Sequence, residues 1–414
     1  MIKGRFIQFW ILGMTLIFVV CSLARASWNG PEGFASMNVL GQNGTSGGAG
    51  GDTVIVTQAA DFVVQIWSSD TLVVLVADTI YLTGMVGVES HKTILGVDNK
   101  GVISGGGLHI SGKSNIIIQN LLFENSVDDA INIQESSHHI WIDHCDFTAA
   151  HDGLVDIKRG SEYITVSWNK FYNHHKTCLL GHSDNNGAQD STHLLVTYHH
   201  NWFNGTVSRH PRVRFSGLTH VYNNYYNNNS YGVASTMHAR VLVENNYFFM
   251  VTDPTLVGYG SSLPGLLVQT GNIFDNCAHA PEDSGPVPSP PYAYQLDDAA
   301  LVPAIVQANA GRIGFITGIK NVGSTVADVY ELYQNYPNPF NSMTTIEYTL
   351  YKPGKVKLSV FNTLGQELFE LVNGYQEPGH HRVAVETDRL GSGIYYYRLQ
   401  AGDYSQVRKM ILLK

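Results

Sequence analysis

Charge is scarce in this chain: Asp, Glu, Lys and Arg make up 14% of its 414 residues. That composition excludes a coiled coil or a charged disordered chain as its main body. Cysteine is scarcer still, at four residues, so no disulfide framework holds the fold, and no Cys/His spacing matches a zinc site. Long apolar runs are also lacking. The stretch from Phe9 to Val20 falls short of the roughly 20 residues a spanning helix needs. It follows Lys3 and Arg5 and precedes Ala24-Arg25-Ala26, a small-x-small cleavage pattern, so residues 1–26 read as a signal peptide of a secreted or cell-surface protein. That segment holds three bases (Lys3, Arg5, Arg25) and no acid, which leaves 22 basic against 34 acidic side chains after cleavage. Such a balance opposes binding to nucleic-acid phosphates, and an anionic ligand would need local cations or a metal ion. Cleavage would also remove Cys21, leaving Cys145, Cys178 and Cys277, an odd number with at least one free thiol.

What the chain does have is 44% apolar residues, 41 Gly and 22 Tyr, a globular composition long enough for one large domain and a small one. From Asn115 to Asn276 it repeats. The segments NIIIQNLLF, IWIDHCDF, ITVSWNKF, VTYHHNWF, HVYNNYY, VLVENNYF and QTGNIF align an aromatic: Phe123, Phe147, Phe171, Phe203, Tyr226, Phe248 and Phe274. The intervals are 24, 24, 32, 23, 22 and 26 residues, a solenoid signature without the leucine-rich consensus. Two positions before the aromatic, Asn recurs at 169, 201, 224, 246 and 272, which fits a side-chain ladder between coils at strand spacing. The expected fold is all-β, a right-handed parallel β-helix. TVIVT, TLVVLV and KTILGV would supply earlier coils, and SDNNGAQDS in the longest interval would bulge as a loop. After the Pro-rich PEDSGPVPSPPY, DDAALVPAIVQANAG reads as a short helix folding back. Past a linker at 316–329, residues 330–414 alternate as a small antiparallel, Ig-like β-sandwich.

The repeat register also says which side chains share an edge. Counted from each aromatic, Asp128, Asp129, Asp152, Lys176 and Arg209 fall five or six residues on, with Asp156 and Arg214 slightly further. Isolated acids are ordinarily solvated or turn residues, and isolated bases ordinarily form weak surface pairs. Three acids beside two bases in one column, with Asp156 and Arg214 just beyond, fit a Ca²⁺ site next to a binding strip for an anionic polymer better. The 18 His are read as structural or surface groups. Asp143-His144 lacks a serine in a nucleophile elbow, which argues against a hydrolase triad.

These segments resemble the pectate lyases of polysaccharide lyase family 1. HIWIDHCDF, VDIKRGSEYITVSWNKF, KTCLLGHSD, VTYHHNWF and RHPRVRF carry the resemblance over roughly residues 30–315. Motif by motif, it implies Asp129, Asp152 and Asp156 as Ca²⁺ ligands, Arg209 as catalytic base, and Lys176 and Arg214 as residues binding substrate carboxylates. The implied reaction is β-elimination on α-1,4-polygalacturonate, giving 4,5-unsaturated oligogalacturonates. A free guanidinium is a reluctant base, so the implied optimum is alkaline. YPNPFN, LSVFNTLGQEL, SGIYYYRL and the final KMILLK, over residues 330–414, resemble a type A sorting domain of type IX secretion. That implies export across both membranes of a Gram-negative bacterium, with the secretion machinery as a partner. A monomer is expected. The rival readings are a Ca²⁺-independent pectin lyase, a β-helical polygalacturonase using paired carboxylates, and a polysaccharide-binding solenoid without activity. The column of Lys and Arg is unexplained by the polygalacturonase reading.

Overall fold

A computed structural model describes residues 30–313 and, apart from scattered positions, 330–412. The expected signal peptide and the linker at 316–329 lie outside the described residues. The chain divides into two compact units between Phe315 and Ile316.

The first unit is a parallel β-solenoid. Three sheets run along it, with ten strands in the first (Asp52–Val56 to Leu266–Thr270), nine in the second (Thr79–Tyr81 to Ile273–Asp275) and eight in the third (Met85–Gly87 to Asp253–Val257). Strands adjacent in a sheet come from successive turns of the chain, so every coil covers the last. TVIVT, TLVVLV and KTILGV supply the first three strands of the first sheet, as expected. One element was not foreseen. Ala59–Trp67 is helical and packs Phe62 and Ile66, four residues apart on one face, into the solenoid core.

The aromatic register holds from Phe123 to Phe274, with Ile80 and Ile103 taking the same place in the two coils before it. Phe123, Phe147, Phe171, Phe203, Tyr226, Phe248 and Phe274 are direct partners in the second sheet. Their rings stack with centroids 4.3–5.2 Å apart. Beside them runs the Asn ladder. The amide of Asn169 donates to Asn201 at 3.1 Å, and Asn201 to Asn224, Asn224 to Asn246 and Asn246 to Asn272 each at 2.9 Å. Each Asn thereby settles a buried turn that would otherwise leave polar groups unpaired.

The 32-residue interval does leave the coil as a loop, with one helical turn at Gly187–Asp190. Its anchor is Asp190, fully buried, which accepts from the main-chain N–H of Gly160 (2.9 Å) and His182 (3.1 Å). The fold-back helix is Val302–Asn309, and it sets Val302 and Val306 on Tyr225 of the second sheet. The three described cysteines, Cys145, Cys178 and Cys277, are all free thiols.

The second unit is an antiparallel sandwich of a three-stranded and a four-stranded sheet. Ile346 and Tyr348 from one sheet share a core with Leu358, Tyr397 and Leu399 from the other. Two residues of YPNPFN have clear tasks here. Phe340 is buried in that core, and Asn338 accepts from the Ile411 N–H at 2.8 Å, pinning the last strand.

Candidate active site

The turn that leads from the second sheet into the third carries the charged residues. Asp152 N–H donates to the Asp128 carbonyl, Lys176 bridges to Ser208, and Gly153 N–H donates to the Asp129 carboxylate at 2.8 Å. The single column expected from the repeat is therefore two neighbouring ones: Asp128, Asp152, Lys176 and Ser208, then Asp129, Gly153, Thr177 and Arg209. Arg209 falls in the second column because it lies six residues past Phe203, and its backbone adopts a left-handed φ of 68°. Further along, the third sheet pairs Asn132 with Asp156 on its outer face, while Ile131, Ile133, Val155 and Ile157 point inward, fully buried.

These side chains are tied together. Lys176 Nζ lies 2.8 Å from Asp152 Oδ1, and an Arg209 terminal nitrogen lies 3.3 Å from Asp152 and 3.4 Å from Asp156. Lys158 Nζ lies 3.6 Å from Asp129 Oδ2. His174 donates to the Asp152 carbonyl at 2.6 Å. The structure thus gathers Asp129, Asp152, Asp156, Lys176 and Arg209. Arg214 follows on the strand Arg212–Arg214 and spends its donors elsewhere, on Asp184 (2.6 Å) and the Gly181 carbonyl (3.4 Å).

Electrostatics separate the acids. Burial, and then the nearby Asp129 charge, push the Asp156 carboxyl up to about 8. At Asp152 burial acts in the same sense, but the Lys176 hydrogen bond and the charges of Arg209 and Lys176 outweigh it, and its pKa is lowered. Asp129 and Asp156 are 2% and 1% exposed, so water can do little to screen them. Asn132 donates to Asp129 at 2.5 Å, yet its own amide oxygen is buried without a hydrogen-bond partner. Buried carboxylates short of neutralisation beside an orphaned oxygen form the donor set a hard cation such as Ca²⁺ takes. Among the described residues, no three His, Cys, Asp or Glu side chains are already gathered around one point; Asp152 is turned toward Lys176 instead.

Two of these residues escaped the sequence reading. Lys158 belongs to the same VDIKRGS segment as Asp156, two places on and so on the same face of the strand. Asn132 was recoverable from the 24-residue offset that joins it to Asp156.

Comparison with known proteins gives the family. A family model described as pectate lyase matches residues 12–257, and one for a secretion system C-terminal sorting domain matches residues 334–413. The pectate trisaccharide-lyase of Bacillus licheniformis is 36% identical over 304 residues, covering 68% of this chain and 85% of that protein. Pectate lyase A of Aspergillus niger is 39% identical over 293 residues, covering 68% and 87%. A crystal structure of a Bacillus pectate lyase in complex with trigalacturonate aligns with a TM-score of 0.61 at 35% identity, over 68% of this chain and 98% of that one. On this evidence the chain belongs to the pectate lyases of polysaccharide lyase family 1, enzymes acting on polygalacturonate, and ends in a type IX secretion sorting domain.

Proposed function

We propose that this pectate lyase works by Ca²⁺-assisted β-elimination, with Asp129, Asp152 and Asp156 holding the ion and Arg209 as the base, and that its C-terminal domain directs it out of the cell. The observation that carries the reading is Asp156: a buried carboxyl, pushed up beside Asp129, in reach of Arg209. Bound there, Ca²⁺ supplies a positive charge that withdraws electrons from the substrate uronate and acidifies its C5 proton.

Everything else falls to the side chains. Binding of the ion would take Asp152 and Asp156 away from Lys176 and Arg209, whose present pairs are 2.8, 3.3 and 3.4 Å long. Lys176, released from Asp152, then meets a substrate carboxylate as a point charge. Arg209, released from both acids and converted to the neutral guanidine by giving a proton to hydroxide at alkaline pH, takes the C5 proton. The C5–H electron pair forms the C4–C5 double bond, and the C4–O bond breaks with its electrons leaving on the departing oxygen, which ends as a hydroxyl after protonation. Arg214, held at Nε by Asp184 and at one terminal nitrogen by the Gly181 carbonyl, offers its remaining N–H donors to a further carboxylate. The left-handed backbone at Arg209 is fixed from two sides: its N–H donates to the Tyr231 hydroxyl at 2.8 Å, and its carbonyl accepts from Cys178 N–H at 2.7 Å. That aim is set before substrate arrives.

The test is ultraviolet absorbance of the new conjugated double bond during incubation with de-esterified polygalacturonate at alkaline pH, with Ca²⁺ and then with EDTA. A rise abolished by EDTA supports the proposal. New reducing ends without absorbance would mean hydrolysis, and absorbance on esterified pectin that ignores EDTA would mean a pectin lyase.

A further inference from the structure

The helix Ala59–Trp67 lies against the first strands of all three sheets. Phe62 and Ile66 sink into the core, and the Glu89 main-chain N–H donates to the Ile66 carbonyl at 2.9 Å. Since Glu89 follows the strand Met85–Gly87 by two residues, that bond ties the end of the helix to the start of the third sheet. Trp67 comes next and is 69% exposed among the described residues. Val64, one turn earlier on the same side of the helix, is 64% exposed. The indole is therefore a flat, weakly polar face on a fixed backbone.

The strand register relates this ring to the acids. On the outer face of the third sheet Gly87 pairs with His109, His109 with Asn132, and Asn132 with Asp156. A Cβ at Gly87 would meet one neighbour only, the Trp67 indole nitrogen at 3.9 Å. Glycine thus leaves an open floor beside the ring, and the row that carries Asp156 ends there, three strands back. The polar groups alongside are already paired. Lys113, in the turn after the next strand, is held by both oxygens of Glu89 at 2.6 and 2.7 Å, and His109 accepts from the Gln134 amide at 3.3 Å. A sugar arriving at this end is met by a ring face rather than by a cation.

We propose that Trp67 and the bare strand at Gly87 form a stacking platform for a distant sugar of the polysaccharide chain, at the end of the third sheet opposite Arg214. The inference rests on the lyase reading above. With strands about 4.8 Å apart, the platform lies roughly 14 Å along the sheet from Asp156. The C–H face of a pyranose packs on the indole by dispersion, a contact indifferent to whether the sugar's carboxyl is ionised. A trimer cut at either of its bonds has at most two sugars on that side and falls short of the span. Longer chains reach it, so the platform raises affinity for polymer over short oligosaccharide.

The experiment is steady-state kinetics of the full chain with Trp67→Ala and, separately, Trp67→Phe, on polygalacturonate and on a series from tri- to hexagalacturonate, at low and high salt. Trp67→Ala is expected to raise KM on the polymer roughly three- to ten-fold with kcat little changed, and to lose its effect as the chain shortens to the trimer. Trp67→Phe, which keeps a ring, should recover most of the loss. The ratio of wild type to variant should hold at both salts, because no charge pair is removed. An unchanged KM, an effect equal at every chain length, or a loss that fades in high salt would each overturn the proposal. So would a concentration-dependent dimer of the wild type that Trp67→Ala abolishes, since a second copy would then cover the ring. Failure of the lyase reading would show separately, as wild-type protein that produces no unsaturated ends.

Discussion

At Arg209 the fold has placed a guanidinium between two acids, so the role proposed for it can be separated from the one proposed for the metal. Arg209→Lys should lower turnover roughly a hundred-fold or more while calorimetric Ca²⁺ affinity stays at the wild-type value. Asp156→Ala should do the reverse, weakening Ca²⁺ binding, with activity partly recovered at raised Ca²⁺; unchanged affinity would remove Asp156 from the site. Next to Arg209, His210 reports on pH. It is buried, donating to the Tyr231 carbonyl at 2.6 Å and accepting from the Thr206 hydroxyl at 2.9 Å, and burial lowers its pKa to about 3. The unfolded chain takes a proton there below about pH 6.5, while the folded one resists until about 3. The unfolded state thus binds more protons in that window, and stability present at neutral pH is lost as pH falls through it. Urea denaturation of wild type and His210→Gln across pH 3 to 7 (a range set by those two values) should show a flatter pH dependence in the variant. The charged residues themselves were legible because catalysis needs rare side chains at fixed offsets. Their partners were not. Nothing in the spacing says that Asp184, in the loop, turns back to Arg214, since a loop's path is set by contacts distant in sequence.

Among the elements, the stacked rings and the Asn ladder hold adjacent coils in one register. Phe171 is fully buried between Phe147 (5.1 Å) and Phe203 (5.0 Å), so Phe171→Ala should cost about 3–5 kcal/mol in chemical denaturation. Asn224→Ala removes the oxygen to which both the main-chain N–H and the side-chain amide of Asn201 donate and should cost about 1–3 kcal/mol. Both regularities were readable because one residue type recurs where one environment recurs. The helix Ala59–Trp67 was not, because it belongs to a single coil and has no neighbour to echo it. The loop at 183–191 was anticipated as a bulge, but its buried Asp190 anchor depends on Gly160, thirty residues away.

The whole molecule joins a catalytic solenoid to a separate sandwich, each with its own core. A chain ending before residue 330 should keep its activity on polygalacturonate when purified and lose export from the producing cell; retention inside the full-length producer would contradict the sorting role. The division between the units was visible in the sequence because the period of the pattern changes there, from coils of over twenty residues to short alternating strands. The Asn ladder begins at Asn169 and runs to Asn272, while the coils bearing Asp129, Asp152 and Asp156 come before it, and the ladder's first oxygen is capped by the Cys145 N–H at 2.9 Å. Turns at Asn201, Asn224 and Asn246 are tied on both sides by one continuous Asn ladder, whereas those nearer the acids are held by separate bonds, such as Gln119 to Asp143 at 3.1 Å and Asn120 to the Gly96 carbonyl at 2.8 Å. Amide deuterium uptake should therefore step at Asn169, slow on the arginine side and faster on the carboxylate side, so that the half proposed to rearrange around an ion is the half with the lower barrier to breathing.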